Sequence, residues 1–143
     1  MKTQPVLDSV LEHLTARIPA ELASVEFFPD NTNDYYPSHP EGAVLIGYQG
    51  SSFGESQDVT FVNQKRFITL ALTTVNRSQW GDSGSLLLLD LVREAMAGFE
   101  AKNCIKASIE SEQFIGEEGG LWYYQMLLRL PTQNVQHNNA DRI

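Results

Sequence analysis

The sequence predicts an α+β domain, with two helices packed on one face of an antiparallel or mixed sheet of about five strands, in the order α-β-β-β-α-β-β. Two stretches place apolar residues at helical spacing, over 6–18 and 86–97, and five others alternate apolar and polar residues or run continuously apolar. The chain is 143 residues long, 42% hydrophobic and 20% charged, and a chain of this size buries roughly 68–70% of its unfolded surface. One self-sufficient core is therefore expected, with a single domain over residues 1–131 and a flexible tail over 132–143.

Val6, Leu7, Val10, Leu11, Leu14 and Ile18 recur at intervals of three and four, so the first helix has one apolar stripe. Thr3 or Gln4 caps it, Pro5 is tolerated in its first turn and Pro19 stops it. Ala23, Val25 and Phe27 alternate with Ser24 and Glu26, giving a strand that ends at Pro29. Residues 29–42 contain three prolines and several Asn or Asp residues, which excludes regular structure and leaves a long, function-bearing connection.

Ala43–Tyr48 reads as a buried strand and Gly50–Gln57 as a polar turn. Strand character then runs from Val59 to Val75, which unbroken would be roughly 56 Å long at about 3.3 Å per residue. Val59 and Phe61 fall on odd positions whereas Ile68, Leu70 and Leu72 fall on even ones, and a two-residue period cannot change parity without an extra residue or a turn. A break is expected at Asn63–Arg66, with 59–62 projecting as an arm. Asp82 or Ser83 is placed as the cap of a helix over Leu86–Ala97, which Gly98 ends. Ile105, Ala107 and Ile109 form a strand with one wet face, and Gly116–Gly120 turns the chain into a last strand. There Trp122, Tyr124, Met126, Leu128 and Leu130 share a face until Pro131 ends the sheet.

The balance of 10 basic to 18 acidic residues gives a net charge of −8. Affinity for nucleic acid comes largely from clustered Lys and Arg, and Lys65–Arg66 is the one adjacent pair, read as a solvated strand edge, so no specific nucleic-acid partner is expected. Cys104 is the single cysteine and reads as a small residue opening an apolar run, consistent with a reducing compartment. Met1–Pro5 lacks the apolar region of a signal peptide, and no stretch approaches the roughly 20 apolar residues of a membrane span. The reading is a soluble, intracellular protein without a membrane partner.

Several motifs imitate chemistry. Gly81-Asp82-Ser83-Gly84 copies the surroundings of a protease nucleophile, but such a serine needs a histidine base oriented by an aspartate. His13 sits on a helix flank, His39 in a proline-rich loop and His137 in the tail. Gly50-Ser51-Ser52-Phe53-Gly54 fits the nucleophile-elbow pattern, yet it leads into turn and strand rather than the helix an elbow requires. Asp30–Asp34 has oxygen ligands but puts Thr32 and Tyr35 where a calcium loop needs an acid or amide and a glycine. Glu110, Glu112, Glu117 and Glu118 crowd one hairpin and read as an exposed acidic surface. No catalytic residue, cofactor or metal ligand is assigned, which points to contacts with other proteins, either within an assembly or as a non-catalytic adaptor.

Phe28-Pro29-Asp30, Tyr36, His39-Pro40, the run Glu41–Ser51 and Phe53 together resemble the signature of a small Mu-like prophage tail-protein family named for gene product thirty-seven. Gln64–Arg66, Gly84 before a helix ending at Gly98-Phe99, then Glu112, Phe114, Gly116-Glu117, Trp122 and Tyr124 follow in the family's order, so the resemblance covers residues 5–130. Asn31-Thr32-Asn33 departs from it, replacing an expected proline or acidic residue. The resemblance implies a non-enzymatic tail-terminator-like protein that forms a ring, often a hexamer, on the tail tube and meets the head-tail connector, so that it ends in the virion tail. A ring needs two different patches on each subunit. The candidates are Tyr35, Tyr36 and His39 in the long loop, and Phe53, Phe61, Gln64, Lys65 and Arg66 around the arm.

Overall fold

The computed structural model describes residues 2–30 and 35–135. Its elements are α1 (Gln4–Arg17), β1 (Ser24–Phe27), β2 (Gly42–Phe53), β3 (Asn63–Asn76), α2 (Ser85–Met96), β4 (Ser108–Glu118) and β5 (Leu121–Val135), with a 3-10 turn at Gly81–Ser83. The sheet order is β1-β2-β3-β5-β4. β1 runs parallel to β2 and the other pairs are antiparallel, so the sheet is mixed. The expected α+β class and element order hold.

Both helices cover the same face. Val6, Val10 and Leu14 of α1 and Leu88, Leu89, Val92 and Met96 of α2 pack with Val44, Ile46, Ile68, Leu70, Leu72, Met126, Leu128 and Leu130 in one buried cluster. These sheet residues are the even-numbered positions of β2, β3 and β5, because alternate side chains leave opposite faces of a strand. On the opposite face a smaller cluster of Ala43, Leu45, Val75 and Leu121 is covered by Tyr35 and Tyr123. The long connection thus folds back on the face that the helices leave open.

Several expectations about boundaries are corrected. Of the expected turn Gly50–Gln57, only 54–57 lies outside the strands: β2 continues to Phe53, paired with Arg66, through an irregularity between Tyr48 and Gly50. Cross-strand hydrogen bonds here outweigh the polar, glycine-rich composition. β3 likewise has no break at Asn63–Arg66; its register with β5 runs unbroken from Asn63↔Val135 to Asn76↔Trp122. The parity conflict arises because Val59 and Phe61 lie outside any strand, in the loop 54–62 that closes the β2–β3 hairpin.

The cap of α2 is Gly84, with Asp82 and Ser83 in the preceding 3-10 turn. A Cβ on Gly84 would lie 2.5 Å from the backbone of Gln79 and Trp80, so only glycine lets the turn close on the helix. β4 starts at Ser108, later than expected, because the Ala107 amide bonds to Phe99 O rather than to a strand.

The sheet does not end at Pro131, since β5 continues to Val135. Pro131 O accepts from the Ile105 amide, so the edge of Pro131 that lacks an N–H faces this connection rather than β3. A proline is tolerated in a strand at such a position. Of the expected tail, residues 136–143 lie outside the described residues, as does Asn31-Thr32-Asn33. Gly119 and Gly120, with φ of 60° and 81°, form the two-residue turn between β4 and β5, a conformation that favours glycine at both positions.

Candidate assembly surfaces

The eight residues singled out in the sequence fall into two groups at opposite ends of the sheet. β2 sets their separation, running 12 residues from Gly42, beside Asn76, to Phe53, beside Arg66. At about 3.3 Å per residue this is roughly 40 Å.

At the first end, Tyr35, Tyr36 and His39 belong to one braced loop. Tyr35 is half-buried, and its hydroxyl donates to Glu26 Oε1 at 2.9 Å. Burial, reinforced by that carboxylate, pushes the phenol above its ordinary pKa. Tyr36 is 64% exposed, with the Arg77 guanidinium 5.2 Å above its ring. Arg77 Nη1 also donates to the carbonyls of His39 and Pro40, at 2.8 and 2.7 Å. His39 fastens the loop. Its Nδ1 accepts from the Glu41 and Gly42 amides, and Nε2 donates to Ala20 O at 2.7 Å.

At the second end the residues divide by burial. Arg66 is 7% exposed, which corrects its reading as part of a solvated edge. Its Nε donates to Ser51 Oγ at 3.1 Å, Nη2 donates to Thr3 Oγ1 at 2.8 Å, and the guanidinium lies 5.7 Å from the centre of the Phe53 ring. Gln64 ties the hairpin to its neighbours, donating to Gly54 O and accepting from Asn134 Nδ2. Phe53, Phe61 and Lys65 remain exposed.

A family model described as Gp37 protein matches residues 10–143. The chain belongs to the Gp37 family. Among solved structures, 23 chains match. One, in a structure described as "Virion of native gene transfer agent (GTA) particle", is 11% identical with a TM-score of 0.62, over 92% of this chain and 100% of that one. At that identity the likeness is one of fold. No curated protein matches the chain.

The described histidines have other partners in this Gp37 member. His13 Nε2 lies 2.7 Å from Ala95 O, and its ring stacks on Phe99 at 3.8 Å. Both described histidines are thus tied to backbone carbonyls, away from Ser52 and Ser83. Ser83 offers its carbonyl to Asn76 Nδ2, and Ser51 Oγ bonds the Tyr48 hydroxyl at 2.7 Å. Three of the four glutamates have clear partners: Glu112 pairs with Arg93 of α2, Glu110 lies 4.0 Å from Arg129, and Glu117, beside Glu118 at the end of β4, accepts from the Gly120 amide. Among the described residues no group of three His, Cys, Asp or Glu side chains could hold a metal, and no helix is long and apolar enough to cross a membrane.

Sequence reasoning missed three features of the Gp37 surface. Trp80 is 65% exposed beside the 3-10 turn, near the braced loop, and Leu86 projects from the first turn of α2. Leu86 carried a signal, since four consecutive leucines cannot all face one core from a helix. The third feature is a cleft of about 410 Å³ on the open face, between the Tyr35 loop and the β4–β5 turn, lined by Phe28, Tyr35, Leu45, Tyr123 and residues 115–118. No pattern local in sequence joins those segments.

Proposed function

We propose that this Gp37 member is a structural protein of a phage-like tail, a tail-terminator or tail-completion subunit that forms a ring on the tail tube. The observation carrying this reading is family membership over residues 10–143, joined to a fold shared with the full length of a chain in a gene transfer agent particle. The two ends of the sheet support it. Each presents exposed apolar side chains, Tyr36 and Trp80 at one and Phe53, Val59 and Phe61 at the other. Two different patches on one subunit are what a ring with heterologous contacts requires. Aromatic side chains suit such contacts because they bury much area at little cost in conformational freedom.

In this reading the subunit is made in the host cytoplasm and enters the virion tail, meeting copies of itself, the tail tube and the head-tail connector. Deleting the gene from a producing host and restoring it with an epitope-tagged copy tests this. Electron microscopy is expected to show tails of uncontrolled length, or tails detached from heads, in the deletion strain. Restored particles should carry antibody label at the head-proximal end of the tail. Normal tails after deletion, or label elsewhere, would defeat the assignment.

A further inference from the structure

We propose that the cleft between the Tyr35 loop and the β4–β5 turn seats the lysine-bearing end of a second copy of this chain. The inference deepens the assembly reading and rests on it.

The cleft is suited to a cation. Phe28, Tyr35 and Tyr123 supply aromatic rings over the Leu45 floor, while Glu117 and Glu118 stand on its rim, and no lysine or arginine lines it. A cation over an aromatic face, with carboxylates beside it, is held by both ring quadrupole and charge. The Tyr123 phenol lies raised above its ordinary pKa by burial and then by Glu118, so the carboxylate field extends into the cleft.

The matching charges lie at the other end of the same molecule. Lys65 is opposite Gln133 near the start of β3, and Lys106 adjoins Ile105, whose amide binds Pro131 O. The Lys102 amide binds Ser9 Oγ of α1, and Lys2 precedes Thr3, which meets Arg66. All four lysines of the sequence are therefore gathered at one end of the sheet, accompanied there by Asp8, Glu55, Asp58 and Glu100. The cleft end instead carries Glu41, Asp82, Glu117 and Glu118 against Arg77, which is committed to loop carbonyls. Copies arranged acidic end to lysine end attract, whereas like ends repel. Repeating one such contact gives a head-to-tail array that closes into a ring when the rotation permits. The apolar tip of the 54–62 loop is a poorer occupant, because Glu55 and Asp58 flank it and would meet the rim glutamates.

Carbodiimide cross-linking of the full chain, as an equal mixture of isotope-labelled and unlabelled protein, tests the proposal. Mixed-label peptides joining Glu117 or Glu118 to Lys65, Lys102 or Lys106 are expected. Two charge swaps complete the test, Glu117→Lys with Glu118→Lys in one variant, and Lys65→Glu, Lys102→Glu and Lys106→Glu in another. Each swap alone should weaken self-association on the order of tenfold or more at low salt, and mixing the two should restore it. Thermal melting establishes that each variant is folded; if one is not, Tyr123→Ala with the wild-type cross-linking decides. Lack of mixed-label cross-links between these residues, or self-association indifferent to both swaps, overturns the cleft assignment. Neither result removes the protein from tails, whereas absence from particles refutes the tail reading itself.

Discussion

Arg66 Nη2 lies 2.8 Å from Thr3 Oγ1, a hydrogen bond that closes 63 residues of chain and fixes the start of α1 to the outer end of β3. The same guanidinium holds Ser51 of β2 and faces Phe53, so one buried cation joins three elements. Hydrogen bonds from a charged donor contribute roughly 1.5–3 kcal/mol. Arg66→Ala is expected to lower unfolding stability by about that much, read as a fall in the urea midpoint at unchanged slope. Arg66→Lys should recover little, because one ammonium cannot reproduce the planar fork and ring contact.

Gly84 makes a second, sharper prediction. A Cβ there would meet three backbone atoms at 2.5 Å, none of which can move without opening the 3-10 turn. Gly98, at φ +80°, has open space around it, so its alanine variant meets only backbone strain. Gly98→Ala should cost about 1–2 kcal/mol. Gly84→Ala should cost more, about 3 kcal/mol, since overpacking against rigid backbone is not relieved by rotamer changes. Thermal melts that reversed this order would show that the turn yields.

The contrast between these glycines reflects what was legible in the sequence. The two helices, the sheet residues facing them and the element order follow from local periodicity, because one face of each element is buried in a common core. Element ends were misread where a distant partner decides them. Phe53 is in a strand because Arg66 pairs with it, and Pro131 is tolerated because its open edge faces Ile105. The two candidate contact regions lie at opposite ends of the sheet. Yet His39, Gln64 and Arg66 make internal bonds, and a polar residue carries no mark in the sequence separating an internal bond from an external one. The cleft was illegible because Phe28, Tyr35, Tyr123 and Glu118 meet only through the fold.

Tyrosine ionisation provides a third check. Burial first, then the Glu26 hydrogen bond and charge, raise the Tyr35 pKa, whereas the Ser51 hydrogen bond leads in lowering that of the largely exposed Tyr48. Of the five tyrosines, Tyr48 should ionise before, and Tyr35 well after, a free phenol in a titration followed by ultraviolet absorbance. A phenol whose pKa is raised on folding contributes stability that is fully present below the unfolded value, about 10. That contribution is lost as pH rises through the folded value, because the unfolded chain releases the proton first. Tyr35→Phe should therefore flatten the loss of stability above about pH 10, while costing roughly 0.5–1.5 kcal/mol at neutral pH. An unchanged alkaline slope in the variant would mean that another group controls it.

The last prediction separates surface from core. Val59 and Phe61 lie in the loop closing the β2–β3 hairpin, and Val59 is fully exposed. Replacing Val59 by serine removes almost no buried area, so stability should change by no more than about 0.5 kcal/mol. Leu128→Ala, in contrast, opens a cavity beneath both helices and should cost about 2–5 kcal/mol. If the loop serves assembly, the serine variant should melt like the wild type yet enter particles poorly. Leu128→Ala should lose incorporation only to the extent that it unfolds. Trp80 offers an independent reading at the other end of the sheet, since its exposed indole should emit at long wavelength in the free chain and shift to shorter wavelength when covered. Normal incorporation of the serine variant, with Trp80 still water-exposed in assembled material, would show that neither end is buried on assembly.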